Sequence, residues 1–164
     1  MFVVKNSVAA SKSERYAELA EALEGLLAGE VDPIANLANA AALIGGGLDE
    51  LNWAGFYLMR SGELVLGPFQ GKPACVRIPI GKGVCGAAVA RAASVLVEDV
   101  HAFPGHIACD AASRSELVVP LVHDGAVFGV LDLDSPRPAR FDSDDQAGCE
   151  KLVAVLLRHV RPNF

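Results

Sequence analysis

The amino-acid sequence predicts an α+β fold built on a mainly antiparallel sheet. Two helical patterns come first, and three strand patterns, a helix, three further strands and a last helix follow them. Strands that follow one another directly pair in antiparallel fashion, whereas a parallel sheet needs a crossover after each strand. The chain has 164 residues, 52% of them hydrophobic and 21% charged, which suits one domain with its own core. We therefore expect a single domain over residues 1–164.

Capping residues and apolar spacing predict the two N-terminal helices. Ser11 and Glu14 form a capping-box pattern ahead of apolar residues at helical spacing. Asp32 and Pro33 then open a second helix, as its cap and its first helical residue. The three glycines at 45–47 are expected to end that helix.

Runs of apolar, aromatic and β-branched residues between turn signals predict the strands. Residues 84–93 form a helix after a glycine-rich turn, and Asp124-Gly125 is a two-residue hairpin turn. Residues 99–113 are a long irregular segment, and connections of that length are usually functional. The predicted strands cover 52–59, 63–66, 74–80, 94–97, 116–123 and 126–134.

Ser143, with Gln146 three residues later, is expected to cap the last helix. Cys149 lies on the apolar stripe of that helix, so we interpret it as a buried structural thiol. The basic residues Arg158 and Arg161 complement the carboxyl end of the helix dipole and do not form a nucleic-acid patch.

Charge and hydropathy exclude several classes of partner. The net charge is −6 at pH 7 and the pI is about 5.1, which argues against nucleic acids and anionic membranes. No apolar stretch has the length of a membrane helix, and the first residues do not read as a signal peptide. We therefore expect a cytoplasmic protein.

Residues 81–86 match the pattern G-x-G-x-x-G between a strand and a helix. A dinucleotide site also needs an acidic residue about 20 positions further on, and Glu98 and Asp99 come too early. The glycines are therefore interpreted as a tight turn that positions the start of a helix.

Three cysteines lie in or beside loops, where thiols are more often reactive than structural. Cys85 falls in the first turn of a helix, whose dipole favours a thiolate, and Cys109 follows His106 in the long irregular segment. Zinc bound by Cys75, Cys85, Cys109 and either His106 or His101 is an alternative, although the usual short ligand spacings are absent.

Three carboxylates occupy unusual positions in the last two strands. Asp132 and Asp134 lie two residues apart in an otherwise apolar strand, so both side chains share one face of the sheet. That face is either exposed to solvent or forms the polar end of a buried pocket. A strict two-residue hairpin would place Glu116 opposite Leu133, on the other face of the sheet. Gathering all three acids needs a bulge or a slip, and Pro120, which lacks a ladder donor, is a plausible place for it.

Trp53 and Tyr57 lie four apart in the first strand, so they share a face of the sheet. Two interpretations of this pair stay open at this point. The rings either pack in the core or form an aromatic clamp for a small ligand.

Several segments, taken in order and together with Cys75, resemble the free methionine-(R)-sulfoxide reductases. The resemblance runs from about Tyr16 to the last helix, and it is specific because three cysteines occur at matching places. It implies a GAF-like fold, with a central antiparallel sheet, N- and C-terminal helices on one face and a ligand pocket on the other. The matching segments are 52–58, 67–71, 81–86, 106–110, 113–116 and 129–135.

The resemblance also implies an activity and its catalytic thiols. Members of the family reduce the R epimer of free methionine sulfoxide through a cysteine sulfenic acid and an intramolecular disulfide, which thioredoxin or a similar dithiol then reduces. By this resemblance Cys109 is the nucleophile, Cys75 the main resolving thiol and Cys85 a further thiol near the site. The helix dipole alone would instead make Cys85 the most acidic thiol. We follow the family, because a mobile loop can carry Cys109 over the pocket.

The same resemblance assigns substrate contacts. Glu116, Asp132 and Asp134 would bind the substrate, and Trp53 and Tyr57 would hold its methyl end. No cofactor, metal, nucleic acid or membrane is expected, and a homodimer is left open. The alternative is a non-catalytic GAF module that senses a small ligand.

Overall fold

The computed structural model describes residues 11–107 and 109–162. The expected domain, 1–164, and the expected motif, 106–110, therefore include residues that lie outside the described ranges. The helices are α1 (Lys12–Leu27), α2 (Pro33–Gly47), α3 (Gly83–Arg91) and α4 (Ser143–His159), with one 3₁₀ turn at Val100–Ala102. The strands are β1 (Trp53–Arg60), β2 (Glu63–Gly71), β3 (Arg77–Pro79), β4 (Val95–Val97), β5 (Ser115–His123) and β6 (Ala126–Ser135).

The six strands form one sheet in the order β3-β2-β1-β6-β5-β4, and every neighbouring pair is antiparallel. The predicted α+β class is therefore confirmed. Helices α1, α2 and α4 pack on one face of the sheet, against residues such as Phe56, Leu117 and Leu131. Helix α3 lies on the opposite face with a second apolar cluster that includes Val118 and Val130. Among the described residues, no helix is both long enough and apolar enough to cross a membrane.

The caps of α1 and α2 form as predicted. Ser11 and Glu14 complete a capping box, and the Asp32 side chain accepts the backbone N–H of Ala35. Helix α2 ends at Gly47, the last of the three glycines at 45–47 that were expected to end it, although Gly45 and Gly46 are still helical. Close packing explains Gly47, since a Cβ there would lie 2.4 Å from a methyl carbon of Leu19.

The predicted cap of α4 is wrong by one residue. The N-cap is Asp142, whose carboxylate accepts the backbone N–H groups of Asp144 and Asp145. The Asp145 side chain accepts the backbone N–H of Asp142 in return, which completes a capping box. An ionised carboxylate at this end also meets the positive end of the helix dipole, so Asp142 caps better than Ser143.

The third strand is much shorter than the predicted 74–80, and Cys75 lies in the loop before it. Backbone carbonyls in this loop accept hydrogen bonds from aromatic side chains of β1. The Tyr57 hydroxyl donates to the carbonyl of Cys75 at 2.9 Å, and Trp53 Nε1 donates to the carbonyl of Lys72 at 3.2 Å. The second strand instead extends to Gly71, beyond the predicted end at residue 66.

The β5–β6 hairpin contains the bulge that the sequence requires. Val122 pairs with Val127, but Leu121 pairs with Gly129, so Phe128 is an extra residue on β6. The suggested position of the bulge at Pro120 is wrong, because Pro120 pairs with Val130. The bulge lies between the Leu121 and Val122 pairs, close to the hairpin turn. Past the bulge the register is shifted by one residue.

Packing between α1 and α4 generates the first testable prediction. A Cβ on Gly148 of α4 would lie 2.2 Å from the ring of the buried Tyr16, so Gly148→Ala should lower the free energy of unfolding by about 1–3 kcal/mol. Gly25 of α1 is exposed with open space around it, so the matched control Gly25→Ala should add about 0.5–1 kcal/mol. Urea unfolding followed by circular dichroism measures both, and equal stability of the two variants would contradict this packing.

Candidate active site

A pocket opens on the face of the sheet opposite α1, α2 and α4. Strands β1, β5 and β6 form its floor, and the start of α3 and the segment before β5 form its walls. Its cavity is about 30 Å³, room for about two water molecules. The predicted site residues all line it: Trp53, Tyr57, Cys85, Cys109, Glu116, Asp132 and Asp134, with Cys75 bonded to Cys109 at its edge.

The shifted register brings the three carboxyl groups to one face. Glu116 lies directly opposite Asp134, and Asp132 is two residues before it on the same strand. The pKa values of Glu116 and Asp132 are both raised well above the usual range. Burial is the largest cause, and repulsion from the neighbouring acids is the second. Burial raises the pKa of the half-buried Asp134 to about 7 despite an opposing hydrogen bond from Ser113. Burial and mutual repulsion therefore favour the protonated forms of these carboxyl groups.

Cys85 lies in the first turn of α3, as predicted, but it is buried among these acids. Its Sγ lies 3.9 Å from Glu116 Oε1. Burial and the negative charges of Asp132 and Glu116 raise the pKa of the Cys85 thiol well above its ordinary value. The expectation that the helix dipole makes Cys85 the most acidic thiol is therefore wrong, because desolvation and nearby carboxylates outweigh the dipole.

Cys75 and Cys109 are joined by a disulfide at the mouth of the pocket. Their Cα atoms are 5.4 Å apart, within the usual range for a disulfide. Cys109 is exposed and Cys75 is half-buried. Cys149 is buried beside the Tyr16 hydroxyl in the helical layer, as predicted for a structural thiol.

The disulfide rules out both of the zinc sets considered from the sequence in this form of the protein, because each set uses Cys75 and Cys109. Cys75 and Cys109 are bonded to each other, and His101 is exposed and pairs with Asp99 at 3.0 Å. His106 does face the pocket, with Nε2 3.8 Å from Glu116 Oε2, and burial lowers the pKa of its imidazole.

Two aromatic side chains hold the loop that carries Cys75. Trp53 and Tyr57 share the pocket face, with ring centroids 5.8 Å apart, and Trp53 also stacks on Phe69 at 5.3 Å. Between them, a Cβ on Gly55 would lie 2.7 Å from the Trp53 ring, so a glycine is needed here. Gly55 pairs with Asp132, so this close packing lies beside the acids.

Sequence reasoning missed the residues that hold the other loop. Asn52 Nδ2 donates to Asp110 Oδ2 at 3.2 Å and to Ser113 Oγ at 3.0 Å. Lys72 Nζ lies 3.3 Å from the same Asp110 oxygen, which links the loops on either side of the disulfide. The sequence offered one clue to these two residues, which is that each is adjacent to a predicted site residue. Asn52 directly precedes Trp53, and Asp110 directly follows Cys109.

The glycine-rich segment 81–86 forms the predicted tight turn. Gly81 and Gly83 have φ values of 79° and 61°, a region that favours glycine, and a Cβ on Gly86 would lie 2.5 Å from the carbonyl of Pro79. The N-cap residue of α3, Lys82, gives no side-chain hydrogen bond to the helix. The positive end of α3 therefore meets the pocket without a competing cap.

Comparisons with known proteins bear on this site. A family model described as a GAF domain matches residues 36–155. A free methionine-R-sulfoxide reductase of Escherichia coli (strain K12) is 56% identical over 146 residues, which cover 89% of this chain and 88% of that protein.

Two solved structures have the same fold. One, described as a putative GAF sensor protein from Burkholderia vietnamiensis, is 60% identical with a TM-score of 0.89, covering 92% of this chain and 96% of its own. The other, a free methionine-R-sulfoxide reductase from Neisseria meningitidis in complex with its substrate, is 46% identical with a TM-score of 0.92, covering 97% and 95%.

These similarities extend over nearly the whole of the matched proteins, so they concern the entire fold as well as the pocket. The six-stranded antiparallel sheet with its helices agrees with the GAF model. The disulfide between Cys75 and Cys109 agrees with a redox enzyme. The chain folds as a GAF domain and belongs to the free methionine-R-sulfoxide reductase family.

Proposed function

We propose that this chain reduces the free R-sulfoxide of methionine to methionine, with Cys109 as nucleophile and Cys75 as resolving thiol. The observation that carries the proposal is the disulfide between these two cysteines at the mouth of an acid-lined pocket. The relatives from Escherichia coli and Neisseria meningitidis, named for this activity, support the same substrate.

Protonated carboxyl groups suit the first step. A sulfoxide oxygen leaves poorly unless it is protonated, and a buried acid that keeps its proton at neutral pH can supply one. Glu116 and Asp132 meet this requirement, because burial and mutual repulsion raise the pKa of each. The thiolate of Cys109 attacks the substrate sulfur, and the oxygen ends on Cys109 as a sulfenic acid while the sulfoxide becomes a thioether.

The second step closes the disulfide. The Cys75 thiol attacks the Cys109 sulfur, a sulfur–sulfur bond forms and the sulfenic oxygen leaves as water. The Cα separation of 5.4 Å supports this pairing. A dithiol then reduces the disulfide by exchange and is itself oxidised to a disulfide.

Charge favours a free amino acid as substrate. One acid of the cluster supplies the proton, and the ammonium group of free methionine sulfoxide can pair with the remaining acids, because its positive charge favours their ionised form. A peptide bond at that nitrogen would remove the charge. The rings of Trp53 and Tyr57, which line the pocket, offer an apolar surface for the methyl end. The N-terminal end of α3, which has no side-chain cap, can bind the substrate carboxylate, because backbone N–H groups and the positive end of the helix dipole favour an anion there.

The remaining expectations stay proposals. Thioredoxin or a similar dithiol is the proposed reductant, and the exposure of Cys109 supports attack by an external thiolate. One GAF domain over 1–164 is supported by α1, which lies outside the matched 36–155 and packs on α4. The cytoplasmic location and the homodimer stay predictions. Cys85 is assigned a supporting place beside the acids, since its thiol is buried.

The alternative function is a non-catalytic GAF module that senses a small ligand, and the Burkholderia relative is described in such terms. The disulfide favours the redox enzyme, because binding alone gives no use for two cysteines joined at the pocket mouth.

Turnover of separated methionine sulfoxide epimers, in an NADPH-coupled thioredoxin assay, tests the proposed function. We expect the R epimer to be reduced and the S epimer to be almost inert, because only one epimer can present its oxygen to the acid and its sulfur to Cys109. Cys109→Ser should lower the rate by at least about 1000-fold, whereas Cys149→Ser should leave it nearly intact. Full activity of Cys109→Ser would contradict the assignment of the nucleophile.

Recognition of the ammonium group is tested with N-acetylated methionine sulfoxide. Loss of a charged hydrogen bond costs about 1.5–3 kcal/mol, so kcat/KM should fall roughly 10- to 150-fold relative to the free amino acid. Reduction of the N-methyl derivative, which keeps both the positive charge and the carboxylate, is the control. Comparable kcat/KM for the acetylated and free compounds would show that the acids do not read this charge.

The raised pKa of Asp134 predicts how stability depends on pH. In the unfolded chain this carboxyl ionises near its ordinary pKa of 3.8, whereas in the folded protein it keeps its proton until about pH 7. The stability gained from the neutral form is therefore lost as the pH rises between these values.

Asp134→Asn removes this titration. The melting temperature of the variant, relative to the unchanged protein, should rise by roughly 7–14 °C between pH 4 and pH 7 and then stay level. Thermal unfolding at several pH values measures the difference, and the exposed Asp124→Asn is the control. A difference that does not change with pH would contradict the raised pKa.

A further inference from the structure

A group of buried ligand atoms lies on the floor of the pocket, apart from the disulfide. Cys85 Sγ and one carboxylate oxygen each from Glu116 and Asp132 lie within 4.8 Å of one another. All three residues are buried, and Asp132 is only 6% exposed. Its Oδ1 atom is buried without a hydrogen-bond partner. Leaving such an atom unpaired is costly, and a bound cation would supply the partner that this oxygen lacks.

The donor types select one class of cation. Magnesium and calcium prefer sites made of oxygen atoms alone, whereas zinc binds thiolate, carboxylate and imidazole together. An imidazole is also present, since His106 Nε2 is 3.8 Å from Glu116 Oε2 and the ring is half-buried. Two carboxylates and a thiolate would more than balance the charge of a divalent ion.

We propose that Cys85, Glu116 and Asp132 bind a zinc ion, that His106 completes the coordination, and that the bound ion keeps the sulfoxide out of the pocket. This set differs from the zinc ligands considered from the sequence, because it uses neither cysteine of the disulfide. It is therefore available in the oxidised protein as well as in the reduced protein.

Only small movements are needed to close the coordination sphere. With Zn–S at about 2.3 Å and Zn–O at about 2.1 Å, tetrahedral ligand atoms lie roughly 3.4–3.6 Å apart. Cys85 Sγ and Glu116 Oε1 are 3.9 Å apart, and the three ligand atoms all lie within 4.8 Å. Side-chain shifts of about 1 Å therefore suffice, and metal binding displaces the protons of these groups.

Zinc and substrate would compete for the same carboxyl groups. Metal binding itself does not depend on the proposed function, since it uses only the cluster of Cys85, Glu116 and Asp132. Inhibition by the metal does rest on the proposed function, because it requires the sulfoxide to occupy this pocket. Metal binding and inhibition by the metal are therefore measured separately.

Binding is tested on the oxidised protein with Co²⁺ as a spectroscopic substitute for Zn²⁺. The chain has four cysteines, and the disulfide leaves only Cys85 and Cys149 as free thiols. We expect a thiolate-to-cobalt charge-transfer absorption that Zn²⁺ abolishes by displacing Co²⁺. Cys85→Ala should lose this band, and the matched control Cys149→Ala should keep it.

Affinities complete the test. From competition with a chelating dye, Asp132→Asn and His106→Gln should each weaken Zn²⁺ binding by about 10- to 100-fold, and Cys149→Ala should leave it within about twofold. The Asn and Gln variants are close in size, so they remain informative if Cys85→Ala fails to fold. No charge-transfer band in the unchanged protein, or the same band in Cys85→Ala, would overturn the proposal.

Inhibition is measured in a single turnover, with the protein reduced, freed of reductant and mixed with methionine R-sulfoxide. Zn²⁺ should slow methionine formation, high sulfoxide concentrations should overcome the effect, and a chelator should reverse it. If cobalt binds but the protein forms no methionine, the zinc site stands and the proposed function fails. If methionine forms at the same rate with the zinc site occupied, the exclusion of substrate is refuted.

Discussion

One extra residue in the last hairpin determines the site. Without Phe128 in the bulge, Glu116 would lie opposite Leu133 and point into the helical layer, where a carboxyl has no partner. With it, Glu116 joins Asp132 and Asp134 on the other face while the apolar residues between them stay in the core. A register shift of one exchanges the two faces of a strand, so the bulge sets both the core and the pocket.

The two faces of the sheet carry opposite contributions to stability. On one face, three helices bury an apolar layer that is closed by well-partnered polar groups such as Asp145, which accepts hydrogen bonds from Tyr16 and Arg140. On the other face, buried acids repel one another, and Asp132 keeps an unpaired oxygen. The apolar helical layer offsets the free-energy cost of burying these acids. Proteins commonly carry such a cost at a binding site, because the groups that bind a ligand can destabilise the fold.

Local patterns predicted the element order, the caps of α1 and α2 and the shared face of Trp53 and Tyr57. They failed where tertiary contacts decide, as in the strand predicted over 74–80, where the Tyr57 hydroxyl binds the Cys75 carbonyl and holds that residue in a loop. The dipole argument for Cys85 failed for the same reason, since its burial and its acidic neighbours come from distant strands. The link between Asn52 and Asp110 joins residues 58 positions apart, so no local pattern contains it.

The hydrogen bonds from Tyr57 and Trp53 tie the Cys75 side of the disulfide to a central strand, while Cys109 lies in an irregular segment. Asn52 and Lys72 hold Asp110, the residue after Cys109, so both sides of the disulfide keep contacts with the rest of the pocket when the bond opens. While the bond is closed, the Cys109 sulfur carries no thiolate that could attack a sulfoxide. In the proposed cycle, sulfoxide and dithiol therefore react with the protein alternately, in the ping-pong order that a covalent intermediate imposes.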